Sequence, residues 1–107
     1  MIKLGIRRIK PGEVGHFREW MAQLDRRRDE VRATFSQEGV THEQVYLLDA
    51  PDGPIMIYAM EAPDHERAAK AFVESKLAID AEHKAVLKQV LGGPVSCELL
   101  FECHADK

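Results

Sequence analysis

The sequence predicts an α+β domain of β-α-β-β-α-β order, and three observations carry that prediction. Period-two alternation opens the chain over Met1–Ile9. Stripes at spacings of three and four follow, first in Val14, Phe17, Met21 and Leu24 and again after Pro63. Between these helical segments, THEQVYLLDA and PIMIYAMEA flank the turn Pro51-Asp52-Gly53, which is the pattern of a hairpin.

In the first strand, Ile2, Leu4 and Ile6 point one way and Lys3, Gly5 and Arg7 the other. Lys10-Pro11-Gly12 breaks it. The stripe continues through Val31 and Phe35, predicting one helix that Gly39 ends. Arg28 interrupts the stripe and is expected to reach outward with its stem packed. A hairpin centred near Asp52 sets Tyr46 opposite Tyr58 and Leu47 opposite Ile57. Tyr46, Leu48, Met56, Tyr58 and Met60 then share one face, and Val45, Leu47, Ile55, Ile57 and Ala59 the other. Both faces are apolar, so both are expected to be covered. Asp64 is placed to cap the next helix, with Ala68, Ala69 and Phe72 inward. Asp80 is placed to cap a second, short helix whose stripe is Ile79, His83, Val86, Leu87 and Val90. Gly92-Gly93-Pro94 stops it. PVSCELLFEC predicts the last strand, with Val95, Cys97, Leu99 and Phe101 on one face.

A chain of 107 residues is expected to form a single domain, residues 1–107, burying roughly two-thirds of its unfolded surface. No apolar run approaches the ~18 residues of a membrane span. MIKLGIRRIK lacks the apolar stretch of a signal peptide, so a cytoplasmic location and no membrane partner are expected. A net charge of −3 and a pI near 5.9 argue against a nucleic-acid partner. Arg26-Arg27-Arg28 is neutralised by Asp25, Asp29 and Glu30 around it. On one strand, Cys97 and Cys103 would stand ~20 Å apart, too far to bridge. Both are read as reduced thiols, and Cys97 as core packing.

The element order is that of the split βαβ, or ferredoxin-like, unit with one four-stranded antiparallel sheet. Its helices cover one sheet face and leave the other bare. Tyr46, Leu48, Met56, Tyr58, Met60 and Leu100 are expected on that bare face, a larger apolar surface than a small monomer usually shows water. A symmetric homodimer paired through it is the expected assembly.

Three stretches, IKPGEVGHFREWMAQLDRR, EGVTHEQVYL and the Asp80-x-x-His83 pair, resemble an uncharacterised bacterial family of the dimeric α+β barrel superfamily. The resemblance covers nearly the whole chain. It implies pairing of two copies sheet to sheet, and it brings no activity. More distantly the chain resembles the antibiotic-biosynthesis-type and haem-degrading monooxygenases of that superfamily. These commonly carry Trp, Ser two residues on, and His eight beyond the Ser. Ser75 and His83 keep that spacing, while Val73 stands at the tryptophan position. The haem-binding members use an asparagine, and this chain has none, so haem is not expected; no other cofactor is expected either.

His83 is the leading candidate for chemistry, a ring suited to general acid or base work, with Asp80 three residues before it to orient the ring. The competing reading makes His83 a structural, half-buried histidine and Asp80 a cap. Tyr46 and Tyr58 offer hydroxyls to a ligand or are simply cross-strand packing. Trp20, offset from the main stripe, lines a pocket edge or covers the flank. Glu98 and Glu102 on the last strand are placed to pair with Arg7. Adjacent His42 and Glu43 face opposite sides of a strand and cannot chelate together. No HExxH set, nucleophile triad, phosphate loop or dinucleotide fingerprint is present, and no metal is expected. Three functions follow from these readings. One is binding of a small apolar molecule between helices and sheet near His83. A second is a cofactor-free monooxygenase-like or proton-transfer reaction there. The third is a purely structural or regulatory dimerisation module.

Overall fold

The computed structural model describes residues 1–106. Strand β1 (Ile2–Ile9) leads through Pro11-Gly12 into helices α1 (Val14–Arg26) and α2 (Arg28–Glu38). The hairpin β2 (His42–Ala50) and β3 (Gly53–Glu61) follows, then helices α3 (His65–Glu74) and α4 (Ala78–Val90), then β4 (Leu91–Pro94). The four strands form one antiparallel sheet in the order β2-β3-β1-β4. The chain is therefore α+β and compatible with the ferredoxin-like arrangement, with each helical crossover divided into two helices.

The first crossover was expected to be one helix. It breaks at Arg27, whose φ of −115° and ψ of 41° leave the helical region. The Arg27 amide turns to the Leu24 carbonyl, three residues back, and its own carbonyl starts α2. The guanidinium holds the break together by bonding Glu30 on α2 and Glu82 on α4. Gly39 closes α2 in the left-handed conformation, φ 77°, and both Gly39 and Val40 donate to the Phe35 carbonyl. Asp64 caps α3 by accepting from the Arg67 amide. Ala68 is buried on that helix while Ala69 is exposed.

The β2–β3 register is one residue away from the expected one. Pro51-Asp52 alone forms the turn, Ala50 pairs with Gly53, and Tyr46 lies opposite Ile57, not Tyr58. A one-residue slip moves every side chain of one strand to the other face. Val45 and Leu47 therefore share the helix-covered face with Met56 and Tyr58, and pack with Phe17, Ile9, Val90 and Leu91 in the main core. Tyr46 and Leu48 share the uncovered face with Ile55 and Ile57, so the two tyrosines are on opposite sides of the sheet. Ile2 and Leu4 join that uncovered face through their pairing with Glu61 and Ala59. Ile2, Leu4, Tyr46 and Leu48 are between 47% and 62% exposed. The bare face is apolar as expected, with a different membership.

The C-terminal strand also differs. α4 runs directly into β4, so Gly92-Gly93-Pro94 is strand, not a stop. The ladder to β1 ends with the Val95 amide donating to the Ile6 carbonyl. Pro94 has no N–H to contribute. Residues 96–106 lie outside the sheet and are exposed, Cys97 included, so Cys97 is not core. Arg7 does not meet Glu98 or Glu102; its Nε and Nη2 donate to the Gly92 carbonyl at 2.9 and 2.6 Å.

Gly5 is paired with Tyr58 across β1 and β3, and a Cβ at Gly5 would overlap the Tyr58 ring. The absence of a side chain there lets the ring lie flat over the strand. Gly5→Ala is expected to lower stability by about 1–3 kcal/mol in thermal or urea unfolding, the usual cost of overpacking. In a Tyr58→Ala background the same substitution is expected to cost much less, and equal costs in both backgrounds would contradict the contact.

Candidate functional site

Trp20 and His83 lie on helices that the chain separates by both the hairpin and α3, and packing of α1 on α4 brings them together. Trp20 sits on the inward side of α1 with Phe17, three residues earlier, and both are 2% exposed. His83 sits one turn along α4 from buried Ile79. The Trp20 indole Nε1–H donates to His83 Nδ1 at 2.6 Å. An indole nitrogen can only donate, so Nδ1 must be the bare nitrogen of the imidazole. The neutral ring then carries its proton on Nε2, which has no protein partner among the described residues. Phe72 of α3 meets the same ring edge-on at 5.7 Å between centroids. Arg27 lies over the Trp20 ring, 5.9 Å from its centroid. His83 is thus half-buried between two aromatic side chains. Burial pushes its pKa below the ordinary value, against an opposing pull from the Asp80 charge.

Asp80 does not orient the imidazole and does not cap α4, whose N-cap is Leu77. It lies in the first turn, 2% exposed, and accepts from the Thr34 hydroxyl of α2 at 2.6 Å. A carboxylate in a first helical turn is favoured by the helix dipole. Ser75, at the spacing shared with the monooxygenases, serves the α3–α4 junction. Its hydroxyl accepts from the Leu77 amide and donates to Gln37. Val73, at the tryptophan position of that pattern, is 72% exposed.

Two carboxyls that were not singled out from the sequence belong to the same interior. Glu38, the last residue of α2, is 6% exposed. Glu43 is half-buried on the helix-covered face of β2 with Val45 and Leu47. Burial, then the charges of Asp80 and Glu43, push the Glu38 pKa up from 4.5 to about 7. Burial pushes Glu43 up to about 7 as well. Neither forms an ion pair or hydrogen bond among the described residues. Their signal was readable: Val31, Thr34, Phe35 and Glu38 fall at spacings of three and four, and Glu43 alternates in step with Val45 and Leu47.

Of the other candidates, Tyr58 faces the helices and packs on the main core. Tyr46 is 51% exposed on the opposite face, its hydroxyl donating to Gln44, and so is not part of this interior. Two clefts lie elsewhere. One, about 350 Å³, is formed by the consecutive residues Asp25–Glu30 at the helix break. The other, about 190 Å³, lies between Val14, Arg18, Leu47, Asp49 and Pro54. No group of three or more His, Cys, Asp or Glu among the described residues is placed to hold a metal ion. None of their helices is long and apolar enough to cross a membrane.

The Glu38 and Glu43 shifts set a sign for pH dependence. A carboxyl whose folded pKa is raised keeps its proton longer folded than unfolded, so stability falls as pH rises from about 4.5 to about 7. Glu38→Gln and Glu43→Gln are each expected to change stability little at pH 4 and to raise it above pH 7, by roughly 1–3 kcal/mol at about 1.4 kcal/mol per pKa unit. Urea unfolding across that range measures the difference, and a pH-independent difference would refute the assignment. His83 has the opposite sign: its folded pKa is lowered, so the stability it contributes is present above the ordinary value of 6.5 and lost as pH falls. In NMR titration, the His83 midpoint is expected below 6.5. Trp20→Phe, which removes a donor that favours the neutral ring, is expected to raise that midpoint.

No curated protein and no solved structure matches the chain. Residues 2–106 match the Family of unknown function (DUF6176), which spans nearly all of the fold and both halves of the Trp20–His83 pair. The chain belongs to that family.

Proposed function

We propose that this protein is a homodimer that binds a small, mostly apolar molecule between its helices and sheet, with His83 as the principal polar contact. The observation that carries the reading is the state of the His83 ring. Its Nδ1 is occupied by Trp20 while the Nε2–H donor has no protein partner, with the Trp20 and Phe72 rings packed against it. An apolar site with one or two fixed polar groups is the common composition of small-molecule pockets. A carbonyl or carboxylate oxygen suits the Nε2–H. The dimer is supported by the exposed apolar face of Ile2, Leu4, Tyr46 and Leu48, in keeping with the sheet-to-sheet pairing that resemblance to the α+β barrel superfamily implies.

A second reading, proton transfer on the bound molecule, is favoured by Glu38 and Glu43. Both exchange protons near neutrality, the range in which a general acid or base is most effective. The monooxygenase-like form of that reading is weakened because Val73 stands, exposed, where those enzymes carry tryptophan. The third reading, a dimerisation module without ligand, predicts no response to any small molecule.

A thermal-shift screen of small aromatic and aliphatic oxygen-bearing compounds separates these readings. A ligand at 100 times its Kd adds about 2.7 kcal/mol, raising the Tm of a domain this size by roughly 10 °C or more. His83→Ala is expected to abolish that shift while Tyr46→Phe leaves it unchanged. A screen without a single shift would leave the dimerisation module as the reading. Light scattering is expected to give twice the 12.1 kDa chain mass.

A further inference from the structure

Beyond β4, the strand-type sequence that starts at Val95 continues into residues 96–106, which the chain's own sheet does not use. Val95, Cys97, Leu99 and Phe101 alternate with Ser96, Glu98, Leu100 and Glu102. Yet Leu99, Leu100 and Phe101 are 75%, 84% and 82% exposed, the most exposed large apolar side chains of the described residues. Three consecutive apolar side chains in water are an unfavourable arrangement for an isolated chain. The molecule is also less compact than its length requires: the radius of gyration is 14.5 Å, against about 13 Å for a globular domain of this size.

The sheet has a matching vacancy. β4 pairs with β1 only at Arg7 and Ile9, and the last ladder bond ends at Ile6. The first half of β1 therefore has no strand on that side, and Ile2 and Leu4 stand exposed there on the uncovered face. The charges are complementary. β1 carries Lys3, Arg7 and Arg8, and the arm carries Glu98, Glu102 and Asp106. At about 3.3 Å per residue, the arm reaches ~40 Å when extended, more than enough to cross an interface between two copies.

We propose that residues 96–106 form an exchanged arm that leaves its own sheet after Val95 and lies along β1 of a second copy, setting Leu99 and Phe101 against that copy's uncovered face. The proposal rests on the dimer reading above and adds the element that holds the dimer together. Each copy gives an arm and receives one, so the contact is two-fold and covers the open part of the β1 edge in both copies.

The test uses full-length chains. A normal-isotope chain with benzoylphenylalanine in place of Phe101 is mixed with a wild-type chain grown on heavy nitrogen, allowed to exchange, and irradiated. Mass spectrometry is expected to find light arm peptides joined to heavy peptides from β1 or its neighbour β3. Cross-links only within one light chain, or none to a sheet peptide, overturn the exchanged arm. In parallel, the variant Leu99→Ser, Leu100→Ser, Phe101→Ser changes only exposed side chains, so its circular dichroism is expected to match wild type. Its dimer dissociation constant is expected to rise about 100-fold or more, the scale of losing a hot-spot cluster. A variant that dimerises as tightly as wild type overturns the arm and leaves the dimer standing. A wild-type chain that scatters as a monomer at micromolar concentration overturns both.

Discussion

The two-residue turn at Pro51-Asp52 decides more than any other single feature. By pairing Ala50 with Gly53 it sets which alternate residues of β2 and β3 meet the helices. Val45, Leu47, Met56 and Tyr58 go to the core, and Glu43 goes with them because it is in phase with Val45. Tyr46, Leu48, Ile55 and Ile57 go to the other side. The buried carboxyl and the open apolar face are thus two outcomes of one register, since a strand cannot turn one residue inward without turning its neighbours outward.

The helical layer then organises itself around polar contacts between distant segments. Trp20 to His83 joins α1 to α4, Thr34 to Asp80 joins α2 to α4, and Arg27 to Glu82 joins the helix break to α4. The first two are buried or half-buried, where an unsatisfied donor would be costly, so they specify how the helices pack as well as holding them. Glu38 and Glu43 make no such contact among the described residues. Their burial works against ionisation, so each lowers stability once pH rises far enough to charge it.

Much of this was legible in the sequence and some was not, for definite reasons. The strands β1, β2 and β3, the Asp64 cap and the Gly39 stop follow from alternation and local capping chemistry, which act over a few residues. His83 was legible as a ring on an apolar stripe. Its partner was not: Asp80 is near in sequence, whereas Trp20 is 63 positions away and reaches it only through packing of α1 on α4. The break at Arg27 has no glycine or proline to announce it and depends on a guanidinium bridging two helices. The hairpin register was missed because Pro51-Asp52-Gly53 permits turns that differ by one residue. The last strand was placed too late because Leu91-Gly92-Gly93-Pro94 looks like a helix terminus, while Val95–Phe101 has the better alternation and yet leaves the sheet after Val95.

The close approach of Gly5 to Tyr58 has a consequence for how relatives of this chain can diverge. Residue 5 has room for a side chain only if the ring opposite is removed or turned aside. The two positions are therefore coupled: with an aromatic ring at 58 only glycine fits at 5, and a larger residue at 5 requires a smaller one at 58. Because Tyr58 also borders the main core, a relative with that exchange would have to refill the space from the helices, so this one glycine ties the history of β1 to that of the layer above it.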